Sequence, residues 1–215
     1  LISGPQLPFT ETRVLSNMPP ERGEVIVFKF PENEEQDFIK RVVAVPGDTL
    51  EVVDGRPIIN GALIPHCHVG QYVDEGKTGD LYVEFMGDTA FLTHYSLKPG
   101  ELTCENHGDC PNGLSCVAGL CGRQEDHRGP WTIPAGEVWV MGDNRLNSHD
   151  SREWNHKRGG GVPLANIRGR AMVIFATFGQ RGGVTDRIAH WVMSTQTLPK
   201  DHIHLQPALD KYMRQ

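Results

Sequence analysis

Lys40 stands in DFIKRVVAVPGD, residues 37–48, where Phe38, Lys40, Val42 and Ala44 alternate with Ile39, Arg41, Val43 and Val45. Alternation of this kind marks a strand with two unlike faces. A lysine amine of pKa roughly 10.4 holds its proton at neutral pH and is useless as a base. Burial against Phe38, Val42 and Ala44 would disfavour the charged form and lower that value by several units. A neutral amine could then take the proton of an attacking hydroxyl. The plainer use of such a lysine is an edge charge that deters strand-to-strand aggregation.

A second stretch, MGDNRLNSHDSREW at 141–154, follows a strand-like run and crowds opposite charges around two hydroxyls. Asp143 with Arg145, and Asp150 with Arg152, can satisfy each other and fix the shape of a loop. Ser148 and Ser151 would then be held at defined places; the alternative is an ordinary polar surface loop. A third stretch holds Cys104, Cys110, Cys116 and Cys121 in the spacing C-x5-C-x5-C-x4-C. No C-x2-C pair of the zinc type occurs, and the intervening Gly and Asn suit tight turns clamped by two disulfides. A metal site and free thiols are the alternatives, and Cys67 is left over as a lone thiol. Disulfides imply an oxidising compartment outside the cytoplasm.

The elements that must position these residues are mostly strands. GEVIVFKF (23–30) and FIKRVVAV (38–45) read as an antiparallel hairpin, with PENEEQD between them as an acidic turn. LEVVDGRPIINGALI (50–64) reads as short strands turning at Asp54-Gly55 and Asn60-Gly61. Strand signal returns at EVWVMGD (137–143) and RGRAMVIFATF (168–178), and the one helical signal is DRIAHWVMSTQ (186–196). Between them, 66–130 changes character to His, Gly and acidic residues. The expected fold is mostly β, with 1–48 and 135–215 as a discontinuous core. Residues 49–134 then form an inserted β/loop domain carrying the Cys-rich tract 104–121.

With 21 Lys+Arg against 27 Asp+Glu, the net charge of -6 argues against nucleic acid as a partner. No stretch approaches the roughly 20 apolar residues that cross a bilayer. LISGPQLPFTETR lacks the charged n-region and apolar core of a signal peptide, and the chain begins with Leu, so a processed or truncated chain is expected. No metal or other cofactor is expected: the histidines are scattered without ligand spacing, and no glycine-rich phosphate loop follows a strand.

RGEVIVFKFP, FIKRVVAVPGD and GDNRLNSHDSR, in this order, resemble three conserved boxes of the bacterial type I signal peptidases. These are membrane-anchored serine proteases that use a lysine in place of histidine. The resemblance covers roughly 20–60 and 131–178. It implies a core of twisted antiparallel sheets, Lys40 as general base, and Ser148 as the hydroxyl that orients the lysine amine. Asp150 and Arg152 resemble the charged pair that braces this loop, and Gly142, Asp143, Asn144 and Arg145 complete the box as structural positions. Arg41 is read as structural, and His149, where a small residue is usual, as not catalytic. Lys40, where the endoplasmic-reticulum relatives place a histidine, puts the chain on the bacterial side.

The resemblance further implies removal of signal peptides from exported preproteins after small residues, at the outer face of the cytoplasmic membrane. The substrate would add as a strand beside Lys40, with Phe38 and Ile39 walling shallow pockets. The membrane surface is the other expected partner. The Cys tract, for its part, resembles small Cys-rich repeats of secreted proteins, in which the first cysteine pairs with the third and the second with the fourth; the sequence itself leaves the connectivity open.

The family's nucleophilic serine lies in a P-S-x-S-M box that these 215 residues do not contain. Ser16, in LSNMPP, and Ser3 are poor substitutes, because Ser16 immediately precedes the first strand. The expectation is a catalytic domain that is inert without its nucleophile, most simply through truncation. Two rivals remain: a homologue that binds exported peptides without cleaving them, and a secreted β-rich binding module working through the Cys tract.

Overall fold

The computed structural model describes residues 19–74, 77–87, 89–96, 103–111, 114–123, 126–171, 173–174 and 190–191. Ser3, Ser16 and the C-terminal segment 197–215 lie outside them. Strands β1 (Val25–Phe30) and β2 (Asn33–Ala44) form the expected antiparallel hairpin. The acidic turn is shorter than expected. Only Pro31 and Glu32 turn, and Asn33–Asp37 are already strand, all exposed. Strand pairing uses backbone groups, so charged side chains cost nothing there while they remain in water.

Strand β2 runs through the middle of a five-stranded sheet, between β1 and β12 (Glu137–Met141), with β13 (Val162–Pro163) and β14 (Ile167–Arg170) at the edges. Val140 pairs with Val42 and Trp139 with Ala44, which leaves Val43 as an extra residue on β2. Such a bulge shifts the alternation by one place. Val42, with the partly buried Phe38 and Val45, joins a first core of Ile26, Phe28, Phe30, Val138, Val140, Trp154, Val162 and Ile167. Val43 and Ala44 both turn to a second core with Leu50, Val52, Ile133, Trp139 and Met141. The two-face pattern therefore holds from Phe38 to Val42 and fails beyond it: Ala44 does not share the face of Lys40.

Strands β3 (Thr49–Val53), β4 (Arg56–Ile59) and β5 (Ala62–Leu63) turn at the two expected places. Asp54 and Gly55 have φ of 50° and 80°, Asn60 and Gly61 52° and 77°. These are the left-handed pairs that let a two-residue turn follow the strand twist. A meander of β6 (His66–Asp74), β7 (Lys77–Met86) and β8 (Thr89–Tyr95) follows. The hairpin of β9 (Ser115–Val117) and β10 (Leu120–Gly122) carries disulfides Cys104–Cys116 and Cys110–Cys121, first to third and second to fourth. Leu120 anchors it by packing with Val53 and Ile58. Cys67 is half-buried and outside both disulfides. β11 (His127–Thr132) returns to pair with β3.

The helical signal at 186–196 falls outside the described residues except at His190 and Trp191. These pair as β16 (His190–Trp191) with β15 (Val173–Ile174), so strand pairing overrides a weak periodicity there. No helix among the described residues is long and apolar enough to cross a membrane.

Candidate active site

Lys40 is half-buried on β2, opposite Ile26 of β1. On the other side of β2 the pairing with β12 ends at Met141 and Arg41, one residue short of it. The chain then leaves the sheet as Gly142 beside Lys40. A Cβ built on Gly142 would overlap Ser148 Oγ, and it would lie 3.8 Å from Lys40 Cδ. Ser148 and Lys40 therefore approach each other across a residue with no side chain. Ser148 Oγ is buried and makes no hydrogen bond of ordinary geometry. The lysine amine lies 5.7 Å from the centre of the Phe38 ring, which stacks on Phe30 at 4.6 Å.

The 142–152 loop is held by three sets of contacts. Asp150, fully buried, accepts hydrogen bonds from the Gly142 N–H at 2.9 Å and from Arg152 Nε and Nη2, both at 2.8 Å. Ser151 Oγ accepts from the Val140 N–H at 3.0 Å, folding the loop back onto β12. Asp143 forms a two-pronged pair with Arg41 at 2.8 and 2.7 Å, and Arg41 also donates to Gly23 O and lies over the Phe91 ring. Asp150 and Arg152 thus pair as expected, whereas Asp143 and Arg145 do not. The register places Arg41 beside Met141, within reach of Asp143. Arg145 instead turns inward and meets Glu84 at 2.6 Å, both groups shut off from water. Asn144 is half-buried and bridges to His94 of β8.

Glu84 lies outside the stretches whose residue types suggest chemistry. Its signal is a lone carboxylate in the otherwise apolar run LYVEFM (81–86). Removing either partner of such a pair leaves an uncompensated buried charge, at a cost of about 3–5 kcal/mol. His66, stacked on Tyr82 at 4.3 Å, borders the same cluster. Burial, helped by the charges of Arg56 and Arg145, pushes its imidazole down to about 3, so it is neutral at physiological pH.

Phe38 is half-buried, and Ile39 is 55% exposed on the opposite face. His149 is exposed and stands edge-on to Phe30 and Phe38, with ring centres 5.6 and 6.3 Å apart. A cavity of about 390 Å³ adjoins the loop, lined by Ser148, Arg145, Arg152, Arg128, Val52 and Gly55 among others. Lys40 is not among its walls, so it neighbours the Lys40–Ser148 pair rather than enclosing it. The cysteine sulfurs are committed to disulfides, which removes the one close group of potential metal ligands found among the described residues.

Burial works against ionisation of Asp150. The hydrogen bonds and charge of Arg152, the Gly142 N–H and the nearby Ser148 hydroxyl outweigh it and hold the carboxyl below its ordinary range. A depressed carboxyl contributes its stability in full above the unfolded value of roughly 3.9 and loses it as pH falls through the lower folded value. Asp150→Asn should therefore cost about 3 kcal/mol at pH 7. Urea midpoints of the two proteins should converge as the pH is lowered below about 4. A difference that persists unchanged in acid would mean the charge of Asp150 does not brace the loop.

A family model described as signal peptidase, peptidase S26, matches residues 5–176. The signal peptidase I of Pseudomonas aeruginosa is 34% identical over 188 residues, 81% of this chain and 56% of its own length. That of Aquifex aeolicus is 32% identical, covering 75% of this chain and 65% of its own length. The chain thus spans between about half and two thirds of the length of these curated relatives. A crystal structure of a signal peptidase I from Enterococcus faecalis aligns with 72% of this chain and 98% of its own at 22% identity and a TM-score of 0.36. The family-model match runs through the hairpin of Lys40 and the loop of Ser148 alike, and the chain belongs to the signal peptidase family, peptidase S26, among the bacterial type I members.

Proposed function

We propose that the intact protein is a signal peptidase, an endopeptidase that removes signal peptides from exported preproteins, with Lys40 as general base and Ser148 orienting its amine. One observation carries this reading: Lys40 and Ser148 approach across Gly142, where any side chain would intrude. Asp150 supports the arrangement by holding the Gly142 N–H and Arg152 together. In this reading the attacking hydroxyl comes from outside residues 1–215, and the chain alone is inert. Residues 1–48 and 135–215 are the catalytic core, and 49–134 the insertion.

The substrate adds as an extended strand along the half of β2 that β12 leaves open. Among the described residues, Asn33–Lys40 have only β1 as a strand neighbour. Main-chain pairing there supplies affinity and side-chain pockets supply choice. Phe38 and Ile39 wall shallow pockets that suit small residues. Two disulfides fit an oxidising compartment, the periplasm or cell exterior, with the catalytic core at the outer face of the cytoplasmic membrane.

The test is to express the full reading frame of the source gene and assay the product on a signal-peptide substrate. Cleavage after a small residue supports the reading. A frame without a P-S-x-S-M box, and no cleavage, supports a homologue that binds exported peptides without cutting them.

A further inference from the structure

The proposed chemistry leaves the most deeply buried charge pair among the described residues without a task. Glu84 on β7 is 1% exposed, and both of its oxygens are engaged: Arg145 meets one at 2.6 Å, and the Tyr95 hydroxyl on β8 donates to the other at 2.7 Å. The main chain joins the same two segments. The His94 N–H donates to Asp143 O at 2.8 Å, and the Arg145 N–H donates to His94 O at 2.9 Å. The Asn147 N–H donates to Asn144 O at 3.1 Å, so a tight turn alone separates Arg145 from Ser148.

A buried ion pair is poor evidence for stability, because well-packed apolar residues of similar volume often serve as well or better. What a doubly engaged carboxylate supplies is placement. Arg145 is held at depth by this ion pair, which lacks hydrogen-bond geometry, and by Nη1 donating to Gly55 O at 3.5 Å, at a point three residues before Ser148 and three after Gly142. Reaction rates fall about a hundredfold for misplacements near 1 Å.

We infer that Glu84 and Tyr95 are positioning residues for the catalytic pair: through Arg145, they set where the 142–148 loop carries Ser148 relative to Lys40. The inference rests on the signal-peptidase reading of that pair. It makes the β6–β8 meander a part of the active-site architecture.

The experiment compares full-length wild type, Tyr95→Phe and Glu84→Gln for cleavage of a signal-peptide substrate and for hydrogen exchange along the chain. Tyr95→Phe removes the hydroxyl that donates to Glu84 and lies 3.4 Å from Gly55 O, and should lower kcat about fivefold. Glu84→Gln, which removes the counter-charge of Arg145, should lower it about a hundredfold. KM should stay within about twofold in both. In Tyr95→Phe, exchange should quicken in 141–152 and stay unchanged in the disulfide hairpin. Wild-type kcat in both variants would overturn the inference, as would a loss in Tyr95→Phe with exchange no faster in 141–152 than elsewhere; in Glu84→Gln, which leaves Arg145 buried without its counter-charge and so quickens exchange through the whole fold, 141–152 must quicken beyond the rest. If Glu84→Gln does not fold, Tyr95→Phe decides by the same criteria. If wild type cleaves nothing, the functional reading fails, but exchange still judges the loop: local quickening in 141–152 upholds the role of Glu84 and Tyr95 in placing it, and unchanged exchange overturns it.

Discussion

Lys40→Ala in the full-length protein is expected to lower signal-peptide cleavage by about 10⁴-fold or more, the scale seen when a nucleophile loses its general base. Alanine removes the proton acceptor and replaces it with nothing that titrates. The fold should survive. Lys40 makes no ion pair among the described residues, and its strand is held through Ile26 on one side and, one residue on, through Arg41 and Met141 on the other. The amine lies 5.7 Å from the centre of the Phe38 ring, a weak contact at a half-buried position. The measurement is turnover alongside thermal melting. Wild-type turnover in a folded variant would take Lys40 out of the mechanism.

Gly142→Ala should be nearly as damaging, by a different route. Gly142 does not have the left-handed φ that favours glycine, so alanine meets no backbone penalty. Its methyl group does meet Ser148, with Cβ only 2.7 Å from Ser148 Cβ and closer still to Oγ. Contacts below 3.0 Å force a shift, and Ser148 has the open cavity beside it into which to move. We expect kcat to fall about a hundredfold through misplacement of the hydroxyl. The cost in stability should be about 1–3 kcal/mol, the usual scale of overpacking. Gly169→Ala is the control, since nothing lies within 4 Å of the added methyl. A Gly142→Ala protein with wild-type kcat would mean that Ser148 does not act from its observed place.

Local chemistry was legible in the sequence and partner choice was not. Asp54-Gly55 and Asn60-Gly61 turn where their residue types require, because the left-handed backbone is decided within two residues. The alternation of Phe38, Lys40 and Val42 likewise reads true, as each neighbour is set by the strand itself. At Val43 it breaks, and nothing in VVAV announces this, since the bulge exists only in the pairing with β12. The acidic run after Pro31 looks like a loop by composition, yet solvated carboxylates are compatible with a strand whose outer half has a neighbour on one side only. Among the charges, Asp143 with Arg145 and Asp150 with Arg152 are equally close along the chain, yet only the second pair forms. Arg41 with Asp143, and Glu84 with Arg145, are joined by register and by the meander's approach. The meeting of Lys40 and Ser148 was implied by family resemblance alone, and its physical condition, the missing side chain at Gly142, required the fold.

The bulge at Val43 also bears on how the molecule comes apart. Because β2 sends Val42 into one core and Val43 and Ala44 into the other, neither core keeps its wall if the strand leaves the other. The two cores should therefore melt as one cooperative unit, with no partly folded form that retains a single core. Trp154 reports on the first core and Trp139 on the second. Fluorine labels on these two indoles should show the same denaturant midpoint, although the residues belong to different packing clusters.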